Sequence, residues 1–200
     1  MHTTIYAAGQ KSGRTESIMK KYIPSLLSIA LIILLLAACG SGSSVILPKD
    51  GYAAGGTGDT MRTYFFDYTV NSAYTCSKYE GYIPTPGYDL LAVEITLKNT
   101  LAESIPMFDW DFIVLYAGTE SEDQIYDYPI TSYEEVEIPE AALQTLLPLE
   151  YNLEKGESRT GLLLFEVPAG DTEFTISYTE YFDDDTAGDT FSVDITATRR

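Results

Sequence analysis

Beyond position 60 apolar and polar residues alternate along most of the chain, and the alternation predicts strands. Tyr64, Phe66, Tyr68 and Val70 fall on one side of a segment that carries Thr63, Asp67 and Thr69 on the other, with Phe65 out of step. Leu91, Val93, Ile95 and Leu97 alternate with Ala92, Glu94, Thr96 and Lys98, which predicts one buried and one wet face in an antiparallel sheet. Asn99-Thr100 supplies turn chemistry at its end. Residues 108–116 predict a central strand, because Trp110, Phe112, Val114 and Tyr116 share a side while Ile113 and Leu115 make the other apolar too. After a turn at Gly118, residues 125–130 predict a short strand with Tyr126 and Tyr128 together.

Between 131 and 148 the alternation stops. Pro139 suits the start of a helix and Glu140 suits its positive end, so one or two helical turns are expected there as an insertion. Three further strands follow. Gly161, Leu163, Phe165 and Val167 point one way with Leu162 and Leu164 opposite, so residues 158–167 read as covered on both sides. Phe174, Ile176 and Tyr178 define the next strand, and Phe191, Val193 and Ile195 the last. About seven short strands at near-hairpin spacing bury their apolar faces best as two stacked antiparallel sheets, an all-β, immunoglobulin-like sandwich. Residues 39–60, with Gly40-Ser41-Gly42-Ser43-Ser44 and Gly55-Gly56-Thr57-Gly58, read as a flexible tether ahead of a domain spanning 61–200.

The region before the tether has a different logic. Lys20 and Lys21 precede an apolar run over 23–36, and small residues lead to Cys39. That is the layout of an export signal, too short for a permanent spanning helix of ~20 apolar residues. Leu36-Ala37-Ala38-Cys39 resembles the lipobox of bacterial lipoproteins. The resemblance implies cleavage before Cys39 and a diacylglycerol on its sulfur, placing the domain on the extracytoplasmic face of the cell membrane. Residues 1–18 fit neither signal nor fold, and a start at Met19 is expected instead.

Cleavage leaves 162 residues with 29 acidic and 8 basic side chains and no histidine, since His2 lies upstream. Such a charge excludes nucleic acid and anionic membrane surfaces as partners and attracts cations. With Cys39 lipidated, Cys76 has no disulfide partner in the chain, and it lacks the neighbouring base that a nucleophilic thiolate needs.

Three groups of residues invite a functional reading. Asp183, Asp184, Asp185 and Asp189 cluster about Gly188 as hard oxygens for calcium, although the spacing is not that of an EF-hand and an acidic turn also protects a sheet edge. Asp109 and Asp111, two apart in the expected strand, would share a face at roughly 7 Å. Glycoside hydrolysis would further require one of them to have a raised pKa in a cleft. Other hydrolase and phosphate motifs are missing, so no enzyme is expected. The 16 tyrosines offer large amphipathic contact area, and Tyr79, Tyr82, Tyr88 and Tyr181 are the candidates for partner binding on loops.

Leu91-x-Val93-x-Ile95-x-Leu97-Lys98-Asn99, Phe108-Asp109-Trp110-Asp111-Phe112 and the hairpin from Leu153-Glu154-Lys155-Gly156 through Phe165-Glu166-Val167-Pro168 resemble a telokin-like, immunoglobulin-like domain of unknown function common in Gram-positive lipoproteins. The fold this implies is similar to that of a secreted immunoprotective antigen. The family carries no agreed catalytic residues. The expected function is therefore a non-catalytic binding or interaction module at the cell envelope, taking an envelope protein, peptide or glycan. The alternative is a calcium-dependent or enzymatic domain acting on wall polymers.

Overall fold

The computed structural model of the chain describes residues 43–117, 124–182 and 186–200. They form a β-sandwich. One sheet runs, in spatial order, β1 (Val45–Ile46), β3 (Thr60–Arg62), β4 (Phe66–Cys76), β5 (Tyr88–Asn99) and β10 (Ser158–Pro168), with β13 (Thr198–Arg199) beside the later half of β4. The other runs β2 (Tyr52–Gly56), β12 (Ala187–Thr196), β11 (Glu173–Tyr181), β7 (Phe112–Ala117) and β8 (Gln124–Asp127). A separate ribbon pairs β6 (Ile105–Phe108) with β9 (Glu150–Leu153). Pairing is antiparallel except for β1 with β3, β2 with β12 and β13 with β4.

The seven expected strands correspond to β4, β5, β7, β8, β10, β11 and β12. Their alternation works as read: Phe66, Tyr68 and Val70, then Leu91, Val93, Ile95 and Leu97, are buried between the sheets. At the centre Tyr68, Phe66, Phe112 and Tyr178 pack ring to ring with centroids 5.0 to 6.3 Å apart, the edge-on and tilted distances aromatic rings prefer. Burial of each such side chain contributes about 2 kcal/mol. Tyr64 departs from its expected side: β4 starts only at Phe66, and Tyr64 stays exposed in the preceding bend.

Three expectations are corrected. The tether expected over 39–60 is ordered from Ser43 onward, for β1 and β2 lie within it and β3 begins at its end. One of its glycines serves close packing there. A Cβ on Gly55 would sit 2.5 Å from Cε of Met61, itself fully buried, so a larger residue there would force that side chain to shift. Residues 108–116 are not one strand. Asp109–Asp111 forms a 3-10 turn between β6 and β7, and Trp110 turns outward. Hydroxyls of Thr131 and Ser132 bond the buried Asp109 carboxylate, and the Phe108 N–H bonds Asp111, so polar satisfaction overrides the alternation.

The third correction concerns the wet face of the first sheet. Glu94, Thr96 and Lys98 are accessible, but Ala92 on the same outward side is buried, as is Leu90 beyond it, while the burial of Leu164 opposite Ala92 agrees with a β10 covered on both sides. The insertion covers them. Its helical turn α1 (Glu140–Leu143) follows Pro139 as expected, and Ile130 and Leu146 close a second core over that face. Leu147 N–H bonds the Leu162 carbonyl at 2.9 Å and Leu162 N–H bonds Thr145 at 3.1 Å, which covers the free edge of β10. Gly161 makes room: a Cβ there would lie 2.7 Å from Cδ2 of Leu147.

Candidate functional site

The cap over the first sheet also builds a cavity. One wall is the tyrosine loop before β5. Tyr79 and Tyr82 face each other across a two-residue turn whose central Glu80 and Gly81 both have positive φ, 44° and 92°, the geometry of a type I′ hairpin. Thr85-Pro86-Gly87-Tyr88 then makes a second turn, with Tyr88 N–H bonding the Thr85 carbonyl at 3.0 Å and Gly87 at φ 95°. Glu166 of β10 fixes both turns. Its carboxylate accepts the Tyr82 hydroxyl at 2.7 Å and the Thr85 N–H at 3.2 Å.

The opposite wall comes from the end of β8 and the insertion. Asp127 accepts the Tyr133 hydroxyl and, at 2.8 Å, the Tyr128 N–H. Ile130 and Val136 supply the apolar floor. Together these residues, with Tyr88, enclose about 340 Å³, the small end of the range for ligand pockets. Burial first, and the bond to Asp127 second, push the Tyr133 hydroxyl up to about 12, and burial followed by Glu166 raises Tyr82 as well. Both phenols therefore remain proton donors at neutral pH.

Tyr82 and Tyr88 of the sequence candidates line this cavity. Tyr79 does not: it packs in the second core, its hydroxyl 2.6 Å from Oγ1 of Thr145. Tyr181 lies at a different groove of about 310 Å³ on the outer face of the second sheet, with Trp110, Asp111, Ser177 and Thr179. Tyr128 borders both hollows. Asp127, Tyr128, Tyr133 and Glu166 are not among the binding candidates read from the sequence, though the Tyr-Asp-Tyr run at 126–128 was a signal within reach.

Asp109 and Asp111 meet the hydrolytic requirement only by half. Burial, then the charge of Asp109, pushes Asp111 up to about 6, and Asp111 borders the groove. Asp109 is 1% exposed beneath two hydroxyls, with no access for a water or a sugar. Because folding raises the Asp111 pKa above its ordinary 3.8, its charge opposes folding above pH ~6. That penalty disappears as pH falls towards ~4. Asp111→Asn is expected to gain on the order of 2 kcal/mol over the parent at pH 7 and to lose the advantage by pH ~4. Urea midpoints of the two proteins at pH 4, 5, 6 and 7 measure the difference, and a difference independent of pH would contradict it.

Asp183, Asp184 and Asp185, the main calcium candidates, lie outside the described residues, as do Cys39 and the signal before it. Asp189 bonds its N–H to the buried Glu180 carboxylate at 3.2 Å. Among the described residues no three metal-ligating side chains converge, and no helix is long and apolar enough to cross a membrane. Burial raises the Cys76 thiol above its ordinary value, away from the thiolate a nucleophile requires.

Residues 55–188 match the family described as a domain of unknown function, DUF4352. No curated protein matches the sequence. Among solved structures, the yjhA protein from Bacillus subtilis is 18% identical, with a TM-score of 0.49 over 70% of this chain and 99% of its own. The ycdA protein from Bacillus subtilis subsp. subtilis str. 168, provisionally described as a lipoprotein, is 19% identical with a TM-score of 0.46 over 68% of this chain and 38% of its own. An uncharacterized beta-sandwich protein from Clostridium difficile 630 is 12% identical with a TM-score of 0.37 over 78% and 97%.

Proposed function

The chain belongs to the DUF4352 family, and from that premise we propose a non-catalytic binding module held at the outer face of the cell membrane by a lipid on Cys39. Within the family we place the sandwich among telokin-like, immunoglobulin-like domains, on the hairpin residues from Leu153 to Pro168. The observation that carries the binding reading is the cavity between the tyrosine loop and the insertion. Most of the main core is built by the strands themselves, and the insertion adds only Leu147 to it. The two segments meet over the sheet and leave a tyrosine-lined hollow open to solvent. The absence of histidine after the signal and the sealed position of Asp109 support a role without chemistry.

The anchor rests on the lipobox, and the expected outcome is simple. Expressed as the full chain in a Gram-positive host, the protein sediments with membranes and its Cys39→Ala variant does not undergo lipidation. Intact mass shows a diacylglyceryl thioether at residue 39 and loss of the preceding residues. An unmodified thiol with the leader still attached overturns the anchor. For binding, an immobilised parent is expected to retain a component of envelope extracts that Tyr88→Ser retains at least several-fold less. Equal retention by both proteins counts against the cavity.

A further inference from the structure

The cavity combines four tyrosines, Tyr82, Tyr88, Tyr128 and Tyr133, with two carboxylates, Asp127 and Glu166. No lysine or arginine lines it. Among the described residues the side-chain ion pairs are elsewhere: Arg62 with Asp67, Arg159 with Glu157 and Arg199 with Asp89. Asp127 and Glu166 are thus matched only by neutral O–H and N–H donors. A partly enclosed site with two anions and no cation attracts positive charge, and a net charge of −18 over the chain adds to that field.

We propose that this cavity is an aromatic cage for an alkylammonium group, with Asp127 and Glu166 as its counter-charges. This deepens the binding reading above and rests on it. Aromatic rings attract a cation through their quadrupole, and tyrosine boxes with an acidic partner are how such groups are held. Phenols that donate hydrogen bonds to carboxylates, as Tyr82 and Tyr133 do, have more electron-rich rings, which strengthens the attraction. Tyr82 and Tyr133 are also fixed by those bonds, so little side-chain freedom is lost on binding. A metal ion fits less well. It needs several oxygens converging at close range, whereas here each carboxylate belongs to a different wall and already accepts two hydrogen bonds. The ammonium could be the end of a lysine-like side chain or a quaternary head group; the chemistry is shared.

Titration of the full chain in a neutral detergent, followed by tyrosine ring resonances, tests the cage. The probes are choline, Nα-acetyl-lysine amide and the uncharged choline isostere 3,3-dimethylbutan-1-ol, each to ~10 mM, where even millimolar binding fills much of a site. At least one charged probe is expected to bind about tenfold more tightly than the isostere. Preference for choline assigns a quaternary head, and preference for the lysine amide a primary ammonium. Glu166→Gln keeps an acceptor for Tyr82 and Thr85 and is expected to weaken the charged probe about fivefold. Tyr88→Ser, at an exposed ring outside those bonds, is expected to weaken it as well and keeps the test open if Glu166→Gln loosens the turns. Equal binding of isostere and charged probes overturns the cage but leaves a binding cavity. No binding of any probe, with retention of the envelope component still lost in Tyr88→Ser, overturns the cage alone. No binding of any probe and no effect of Tyr88→Ser overturns both readings.

Discussion

Leu164→Ala is expected to cost about 3 kcal/mol of unfolding free energy, as much as a deletion in the main core. The size of the effect is informative because Leu164 points away from the other sheet. In a plain sandwich its side of β10 would meet solvent, and truncation there would cost under 1 kcal/mol. Here Leu164 is 1% exposed, packed with Leu90, Ala92, Ile130 and Leu146 beneath the insertion. The loss comprises the transfer of its isobutyl group and the cavity left behind. Leu163→Ala, from the inward face of the same strand and also 1% exposed, is the reference and should lose a similar amount. Urea unfolding with an unchanged slope measures both. A small loss for Leu164→Ala beside a large one for Leu163→Ala would mean that the cap is open in solution, and the binding cavity would go with it. A cycle with Ile130→Ala extends the test, since two members of one cluster should couple by 0.5 kcal/mol or more.

The main core was legible because it obeys a local rule. Period-two alternation places Leu91, Val93, Ile95 and Leu97 on one face whatever the rest of the chain does, and all four are buried. What was not legible depends on partners distant in sequence. Tyr52–Gly56 reads as tether because its glycines suggest freedom. It is ordered by pairing with Thr190 to Asp194, and Gly55 leaves room for the Met61 side chain. Ala92 and Leu164 read as surface or as doubly covered only from their own neighbours, while the covering comes from residues 130–147. Asp109-Trp110-Asp111 reads as strand because Trp110, Phe112 and Val114 keep step. The turn is decided by hydroxyls at 131 and 132 that no local window includes.

The site followed the same division. Tyrosine abundance in the loop before β5 pointed to Tyr82 and Tyr88, since a rigid amphipathic ring on a loop is a recognisable binding element. The carboxylates escaped notice. Glu166 occupies the outward slot of an alternating strand, where an acid needs no explanation, and its meeting with Tyr82 spans 84 residues. Asp127 sits between Tyr126 and Tyr128 in a short expected strand, where an acid again needs no explanation, and Tyr133 belongs to a stretch with no period. A cavity made by two loops that touch only in three dimensions leaves no pattern in either loop alone.

Asn99→Ala is expected to lower stability by about 3 kcal/mol, or roughly 6–12 °C in Tm for a domain of this size. Asn99 follows the clearest alternating run in the sequence, where it reads as the start of a turn. Its role is larger. It is 2% exposed, and its amide nitrogen donates to the carbonyls of Glu103 and Leu153 at 2.7 and 2.8 Å. Its Oδ1 accepts the Leu101 N–H at 2.7 Å. One side chain thus joins the end of β5, the loop after it and the β6–β9 ribbon. Alanine leaves one donor and two acceptors without their partner, and buried unpaired groups cost 1–3 kcal/mol each before relaxation and water entry reduce the sum. Asn99→Asp separates hydrogen bonding from shape. The carboxylate keeps the Leu101 bond but sets a negative charge against two carbonyl oxygens, so at pH 7 it should be less stable than the alanine variant. Burial raises the pKa of such a carboxyl above its unfolded value, and a protonated one donates again, so its deficit should shrink as pH falls through the raised value. Thermal unfolding of the three proteins at pH 7 and pH 4 measures this. If Asn99→Asp matches the parent at pH 7, the two carbonyls are not held by this amide, and the junction between sheet and ribbon is carried by backbone pairing alone.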